Sequence, residues 1–306
     1  MSRIQDVARH AGVSVGSVSK VINGVEGVSA KTKNKVLKAI AELDYHPNVY
    51  ARNMRAKSSK TIGIFVPLIN DPYFPQFYEG IHRKLEHIGY MSILFSASSK
   101  ESSQRPLDLL SQMMNRNLDG LIVSTYGWDN EFIDKLARIA EKIPVVSYKR
   151  TFADSPILSV GVNDYEGMYK AVSYLIGIGH RRIAFINAAP QLKTSQDRLQ
   201  GYRQAHLDSG IDCSEAYMTE CPSYSILDGY TYTKNILRSS PLPTAIVGAN
   251  DTLAIGALKY LEEVQIRVPQ DIAVMGYDEI YLAKLMTPQL STVSLPVERM
   301  TERAVD

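Results

Sequence analysis

The sequence predicts a small all-α head followed by an α/β body of two doubly wound parallel-sheet lobes. Residues 4–44 keep a helical apolar period that turn residues break twice. After Lys60 the texture changes to short β-branched runs alternating with helix-sized amphipathic segments. The charge changes sign at the same place.

In the head, a first helix is expected from Ile4 to His10, with Ile4, Val7 and Ala8 facing inward. Ala11-Gly12-Val13 makes a tight turn, with Gly12 free to take positive φ. Ser14 caps a second helix that runs to about Asn23, with Val18, Val21 and Ile22 apolar, and Asn23-Gly24 closes it. Ser29 caps a third, whose Val36, Leu37, Ile40 and Leu43 are expected on one face before Pro47 stops the run.

In the body, the candidate strands are Thr61 to Val66, Met91 to Ser96, Leu121 to Ser124, Val145 to Tyr148, Ser159 to Val162, Ile183 to Asn187, Ala245 to Gly248 and Ile272 to Gly276. Strands alternating with helices argue for parallel sheets covered on both faces. The expected division is a head over 1–46, a hinge and linker over 47–60, and a body over 61–306. Within the body, lobe one is expected at about 61–160 and 292–306, and lobe two at about 161–291.

Residues 1–60 hold eleven Lys or Arg against four acids, and the remainder 23 against 28, so a basic head of +7 sits on an acidic body of −5. Phosphate neutralisation supplies most non-specific nucleic-acid affinity, so such a head suits a polyanion. No apolar run reaches the roughly 18 residues of a membrane span, and Met1 to Asp6 lacks a signal-peptide core, so a cytoplasmic protein with no membrane partner is expected. Cys213 and Cys221 form no CxxC pair, and the six histidines have no metal-ligand spacing, so neither metal nor cofactor is expected. GxxxxGK, GxGxxG and HExxH motifs are absent, and Gly12-Val13-Ser14-Val15-Gly16 matches GxSxG only within the helical head, not on a strand-to-helix elbow, which argues against an enzyme.

The helix, glycine turn and second helix over Gln5 to Asn23 have helix-turn-helix spacing, and such a second helix enters a major groove. Ser14, Ser17, Ser19 and Lys20 lie opposite its apolar face, within reach of bases and phosphates, while Ser29 and Thr32 at the next helix start suit phosphate oxygens. In open α/β sheets, ligands sit outside the carboxyl ends of strands. There the chain carries Asn70-Asp71-Pro72-Tyr73-Phe74, Asn250-Asp251 and Tyr277-Asp278. Carboxylates with aromatic rings suit a ligand having hydroxyl edges and an apolar face. The alternative is that Asp71 and Asp251 only cap the following helices, with Tyr73 and Phe74 in the core.

Asp6-Val7-Ala8-x-x-Ala11-Gly12-Val13-Ser14 and Val18-Ser19-Lys20-Val21-Ile22-Asn23-Gly24 resemble the head of the lactose-repressor (LacI/GalR) family. The likeness continues through Val28-Ser29-x-x-Thr32, Tyr45-x-Pro47-Asn48, Ala51-Arg52 and Gly179-His180-Arg181-Arg182-Ile183-Ala184-Phe185. The resemblance implies a periplasmic-binding-protein-like body and a homodimer on pseudo-palindromic operator DNA. Val15, Gly16 and Lys20 then occupy the base-reading positions, and Asn23, Asn48 and Ala51 join the DNA contacts. Gly16 has no side chain to read with, and Lys20, where Arg is usual, cannot form a planar fork on guanine.

The resemblance also implies a hinge helix over Asn48 to Arg55, about two turns long and too short to hold in water unaided. Its Met54 stands where the family carries a minor-groove wedge, the alternative being packing on the neighbouring domain. For the effector it implies Arg198 and Asp278 as the groups that hold ligand oxygens, and Tyr224 as an aromatic lid. Lys149 replaces a frequent Asp, which opens the pocket to a sugar phosphate as well as a neutral sugar. Family members usually continue beyond Asp306, so this body is expected to lack a final helix and strand, weakening the dimer.

The expected function is a transcriptional repressor whose operator affinity is controlled allosterically by a small sugar-like effector. The alternative, a sugar-binding protein without a gene-regulatory role, fits the body but leaves the basic head unexplained.

Overall fold

A computed structural model describes residues 2–22, 24–25, 27–45, 58–97, 106–125, 128–149, 152 and 155–306. The chain divides into two compact units, Met1–Ser59 and Lys60–Asp306.

In the first unit, α1 (Ile4–Ala11), α2 (Val15–Ile22) and α3 (Ala30–Glu42) pack around Val7, Ala8, Ala11, Val18, Val36, Ala39 and Tyr45. Asp6 closes the start of α1 by accepting the Arg3 N–H at 2.9 Å. Gly12 ends α1 in the left-handed region, at φ 64°, the turn its missing side chain allows. Ser14 Oγ accepts the Ser17 N–H at 3.1 Å, and Ser29 Oγ the Thr32 N–H at 3.3 Å, so both serines cap as expected. The inward face of α3 needs correction. Leu37 is 48% exposed, and Ala39 takes its place, three residues after Val36.

The second unit opens with β1 (Thr61–Val66), α4 (Tyr73–His87), β2 (Met91–Ser96), α5 (Pro106–Met114), β3 (Gly120–Ser124), α6 (Asn130–Ala140), β4 (Val145–Tyr148) and β5 (Leu158–Val160). Its strands form one parallel sheet in the order β2-β1-β3-β4-β5. There follow α7 (Asp164–Gly177), β6 (Ile183–Ala188), α8 (Lys193–Asp208), β7 (Met218–Cys221), α9 (Ile226–Ile236), β8 (Ala245–Gly248), α10 (Asp251–Glu263), β9 (Ala273–Asp278), α11 (Tyr281–Leu285), β10 (Ser291–Ser294) and α12 (Val297–Val305). The second sheet runs β10-β9-β8-β6-β7, again all parallel. Counted within each lobe, both orders are 2-1-3-4-5, which places a switch point, and a ligand crevice, at the strand ends beside the first strand.

Alternation along the strands sorts residues to the two faces. Phe65 packs with Leu110, Met113, Phe132 and Leu136, whereas Ile64 and Val66 face Phe77, Ile81 and Tyr148. Each such buried side chain contributes about 1.5–3 kcal/mol.

Two strands were not expected: β7, reading Met-Thr-Glu-Cys, and β10, reading Ser-Thr-Val-Ser, both sheet edges with half-polar sequences. The lobe boundary also shifts. Residues 292–294 pair with Gly276, Tyr277 and Asp278 in the second sheet, so the return to lobe one comes after β10 rather than at 292. Only α12 returns, with Thr301 against Gly80 of α4.

Candidate functional site

On the head, α2 buries Val18 and turns Val15, Gly16 and Lys20 outward, while Ser17 and Ser19 are half-buried. Ser14 is exposed, with its hydroxyl 2.9 Å from that of Ser17. Ser29 and Thr32 pair their hydroxyls at 3.0 Å at the exposed start of α3, beside Lys31, Lys33 and Lys35. Hydroxyls and ammonium groups thus cluster at the exposed start of α3, an arrangement suited to phosphate. Asn23, Asn48, Ala51 and Met54 lie outside the described residues.

In the body, Asp71, Tyr73, Phe74, Lys149, Arg198, Tyr224, Asn250 and Asp278 line one cavity between the lobes. Asn70 is not among its walls and stays exposed in the turn after β1, correcting its expected place. Thr194, which the sequence did not single out, completes the lining. The cavity measures about 30 Å³, room for one water molecule.

Arg198, at 1% exposure, organises the floor. Its Nε and Nη2 donate to Asp164 Oδ1 at 2.9 and 2.7 Å, Nη2 reaches Asp278 Oδ1 at 3.4 Å, and Nη1 donates to the Ala249 carbonyl. The guanidinium stacks 3.8 Å from the Tyr277 ring centre. Burial works against its charge, but Asp164 and then Asp278 outweigh burial and hold it firmly protonated. Asp164, opposed by its own burial, is kept below the usual carboxylate range by Arg198 and then Lys149.

Asp164 was not anticipated, yet a signal existed. Asn163-Asp164 follows a strand as Asn70-Asp71 and Asn250-Asp251 do. In two of these pairs the asparagine caps the helix, Asn163 Oδ1 accepting the Glu166 N–H and Asn250 Oδ1 the Leu253 N–H, both at 3.0 Å. That leaves the aspartate for other contacts. Asp251 receives the Ile280 N–H at 2.8 Å and the Thr292 hydroxyl at 2.5 Å, and burial raises it to about 7. In the first pair Asp71 itself accepts the Tyr73 N–H at 2.9 Å. Its burial, and then the Asp278 charge, raise its carboxyl.

Over this floor, Lys149 Nζ lies 3.5 Å from Asp278 Oδ1 and 3.7 Å from the centre of the Tyr73 ring. The Tyr73 hydroxyl meets that of Tyr148 at 2.7 Å, and Tyr224 is fixed by Ser195 at 2.6 Å. Such a cleft can bind, orient and sense charge. Among the described residues no group of His, Cys, Asp and Glu could hold a metal ion, and no helix is long and apolar enough to cross a membrane.

Residues 3–48 match the model for bacterial regulatory proteins of the lacI family, and residues 172–306 that for a periplasmic binding protein-like domain. The ribose operon repressor of Haemophilus influenzae is 32% identical over 306 residues, covering 100% of this chain and 90% of that protein. The chain belongs to the lacI family of bacterial regulatory proteins. A second lacI-family relative, the HTH-type transcriptional repressor PurR of Erwinia tasmaniensis, is 35% identical over 312 residues, covering 99% of this chain and 88% of its own. Among solved structures, the Lac repressor dimer bound to operator and the anti-inducer ONPF superposes with a TM-score of 0.87 at 26% identity, covering 100% of this chain and 91% of that one. The CelR–cellobiose complex gives a TM-score of 0.71 at 27% identity over the same shares. As a lacI-family member the chain is a DNA-binding transcriptional repressor controlled by a small-molecule effector, and its relatives are repressors rather than enzymes.

Proposed function

We propose that this repressor acts in the cytoplasm as a homodimer on a pseudo-palindromic operator and that its effector is an uncharged, sugar-like polyol bound between the lobes. On the head, Ser14, Val15, Gly16, Ser17, Ser19, Lys20, Asn23, Ser29 and Thr32 contact DNA, as do Asn48 and Ala51 of the hinge, and Met54 serves as the minor-groove wedge. In the cleft, Asp71, Tyr73, Phe74, Lys149, Arg198, Tyr224, Asn250 and Asp278 line the effector site.

The observation that carries the reading is the charge balance of the cleft. Among the described residues both lining cations, Arg198 and Lys149, are already paired with carboxylates, and Asp71 and Asp278 of the lining, with Asp164 beneath Arg198, outnumber them. Among the described residues a phosphate would meet no unpaired cation there, whereas hydroxyls would find acceptors and an aromatic wall. This favours the neutral sugar over the sugar phosphate that Lys149 alone suggests. The CelR relative was solved with cellobiose, another repressor of the family is named for the ribose operon, and both names point to neutral carbohydrates.

The test is selection of bound sequences from random duplexes, repeated with D-ribose, cellobiose and ribose 5-phosphate. A pseudo-palindromic site is expected, with enrichment altered by a neutral sugar and not by the phosphate. No enrichment over bulk DNA at moderate salt sinks the operator reading, and a response to the phosphate alone sinks the neutral effector.

A further inference from the structure

Lys149 and Asp278 share an unusual backbone. Both are non-glycine residues at positive φ, +76° and +109°. A residue with a Cβ adopts that region rarely, and when held there it tends to mark a functional contact. Lys149 follows β4 of one lobe, Asp278 ends β9 of the other, and the two side chains meet across the cleft at 3.5 Å. Only 10% of the lysine side chain is exposed, and its ammonium caps the Tyr73 ring. The volume left over is about 30 Å³, whereas sites for small molecules usually measure about 300–1,000 Å³.

We propose that Lys149 is a tethered stand-in for the effector. Its ammonium takes the place between the Tyr73 ring and the Asp278 carboxylate that a ligand would take, and so latches the lobes together. The effector enters by displacing it. This rests on reading the cleft as the effector site. Lys149 thereby determines specificity as well as closure. Once it swings out, Arg198, already paired with Asp164 beneath it, faces the lining carboxylates of Asp71 and Asp278 among the described residues, which favours an uncharged polyol over an anion. The latch also sets a threshold, since apparent affinity falls with the fraction of molecules in which the lysine is out.

The test uses the full chain with spin labels on exposed positions of the two lobes, Lys142→Cys and Lys259→Cys in a Cys213→Ser background, diluted with unlabelled protein. Without any sugar, Lys149→Met is expected to move the inter-lobe distance distribution to longer values. Asp278→Asn should do the same, and the double variant should open no further than either single one. An unchanged or shorter distribution in Lys149→Met, or additive opening in the double variant, overturns the latch. If Lys149→Met does not fold, Asp278→Asn carries the same comparison.

A second arm titrates D-ribose and cellobiose by calorimetry, and Lys149→Met is expected to bind the active sugar at least about threefold more tightly. Equal or weaker binding overturns the latch and leaves the effector reading standing. Lobe opening with no sugar bound by either protein supports the latch and counts against the effector reading.

Discussion

Arg198 and Asp164 hold each other in a place that neither would occupy alone. Breaking a buried pair by removing one partner costs about 3–5 kcal/mol, because the other charge stays buried. Arg198→Met should therefore lower the melting temperature of the body by about 10 °C, read by calorimetry, and abolish sugar binding. A shift under about 2 °C would mean the pair is not the buried charge pair described. Asp251 gives a pH signature. Its carboxyl is raised from 3.8 to about 7, first by burial. Below the lower value both folded and unfolded chains keep the proton, while between the two the folded state holds a proton that the unfolded chain releases. Stability from this group is thus full in acid and lost as pH rises through about 7. Asp251→Asn removes that dependence, so its melting temperature relative to wild type should rise between pH 4 and 8 by an amount worth a few kcal/mol. A constant difference across that range contradicts the assignment. These residues also mark how far the sequence was legible. Asp71 and Asp278 stand out because polar groups at strand ends are chemically conspicuous, whereas Arg198, inside α8, was reached only through the family resemblance. Asp164 does not, because a helix-start aspartate after an asparagine looks like a cap until the asparagine is seen to do the capping.

Among the elements, α9 and α10 approach so closely that a Cβ on Gly256 would lie 2.1 Å from the Ile226 carbonyl oxygen and 2.5 Å from the Tyr230 nitrogen. Backbone cannot yield as a side chain does, so Gly256→Ala should destabilise the body by about 1–3 kcal/mol or more, measured by denaturant unfolding. The opposite holds in α2. A Cβ on Gly16 meets only the Ser14 hydroxyl, at an ordinary 3.7 Å, and the helix gains propensity. Gly16→Ala should stabilise the head by about 1 kcal/mol while adding a methyl group to the reading face. A destabilised head would show that the helix is not formed as described. The helix α1 was legible because one buried face dictates its pattern, and β1 because a strand buried on both faces reads as a near-continuous β-branched and apolar run. Edge strands β7 and β10 were not, since a strand bonded on one side and half-exposed needs no apolar run. Leu37 misled because a single apolar residue at nearly the right spacing looks inward until Ala39 is seen to fill the position.

For the whole molecule, the two lobes share one topology, and each presents its strand ends to the same cleft. An effector that binds both lobes shifts their relative populations, and by linkage the same free energy appears in the affinity for DNA. The two-lobed body was legible from strand and helix alternation, but the exchange point was not, because β10 is too polar to announce which sheet it joins. The most direct measurement is fluorescence anisotropy of the selected duplex, with and without the active polyol, for wild type and Asp278→Asn. The account predicts that the polyol changes the wild-type Kd by about 5–150-fold while the variant's ratio collapses to about one, whatever its affinity without polyol. An equal ratio in the two proteins would contradict a cleft-bound effector as the control on DNA binding.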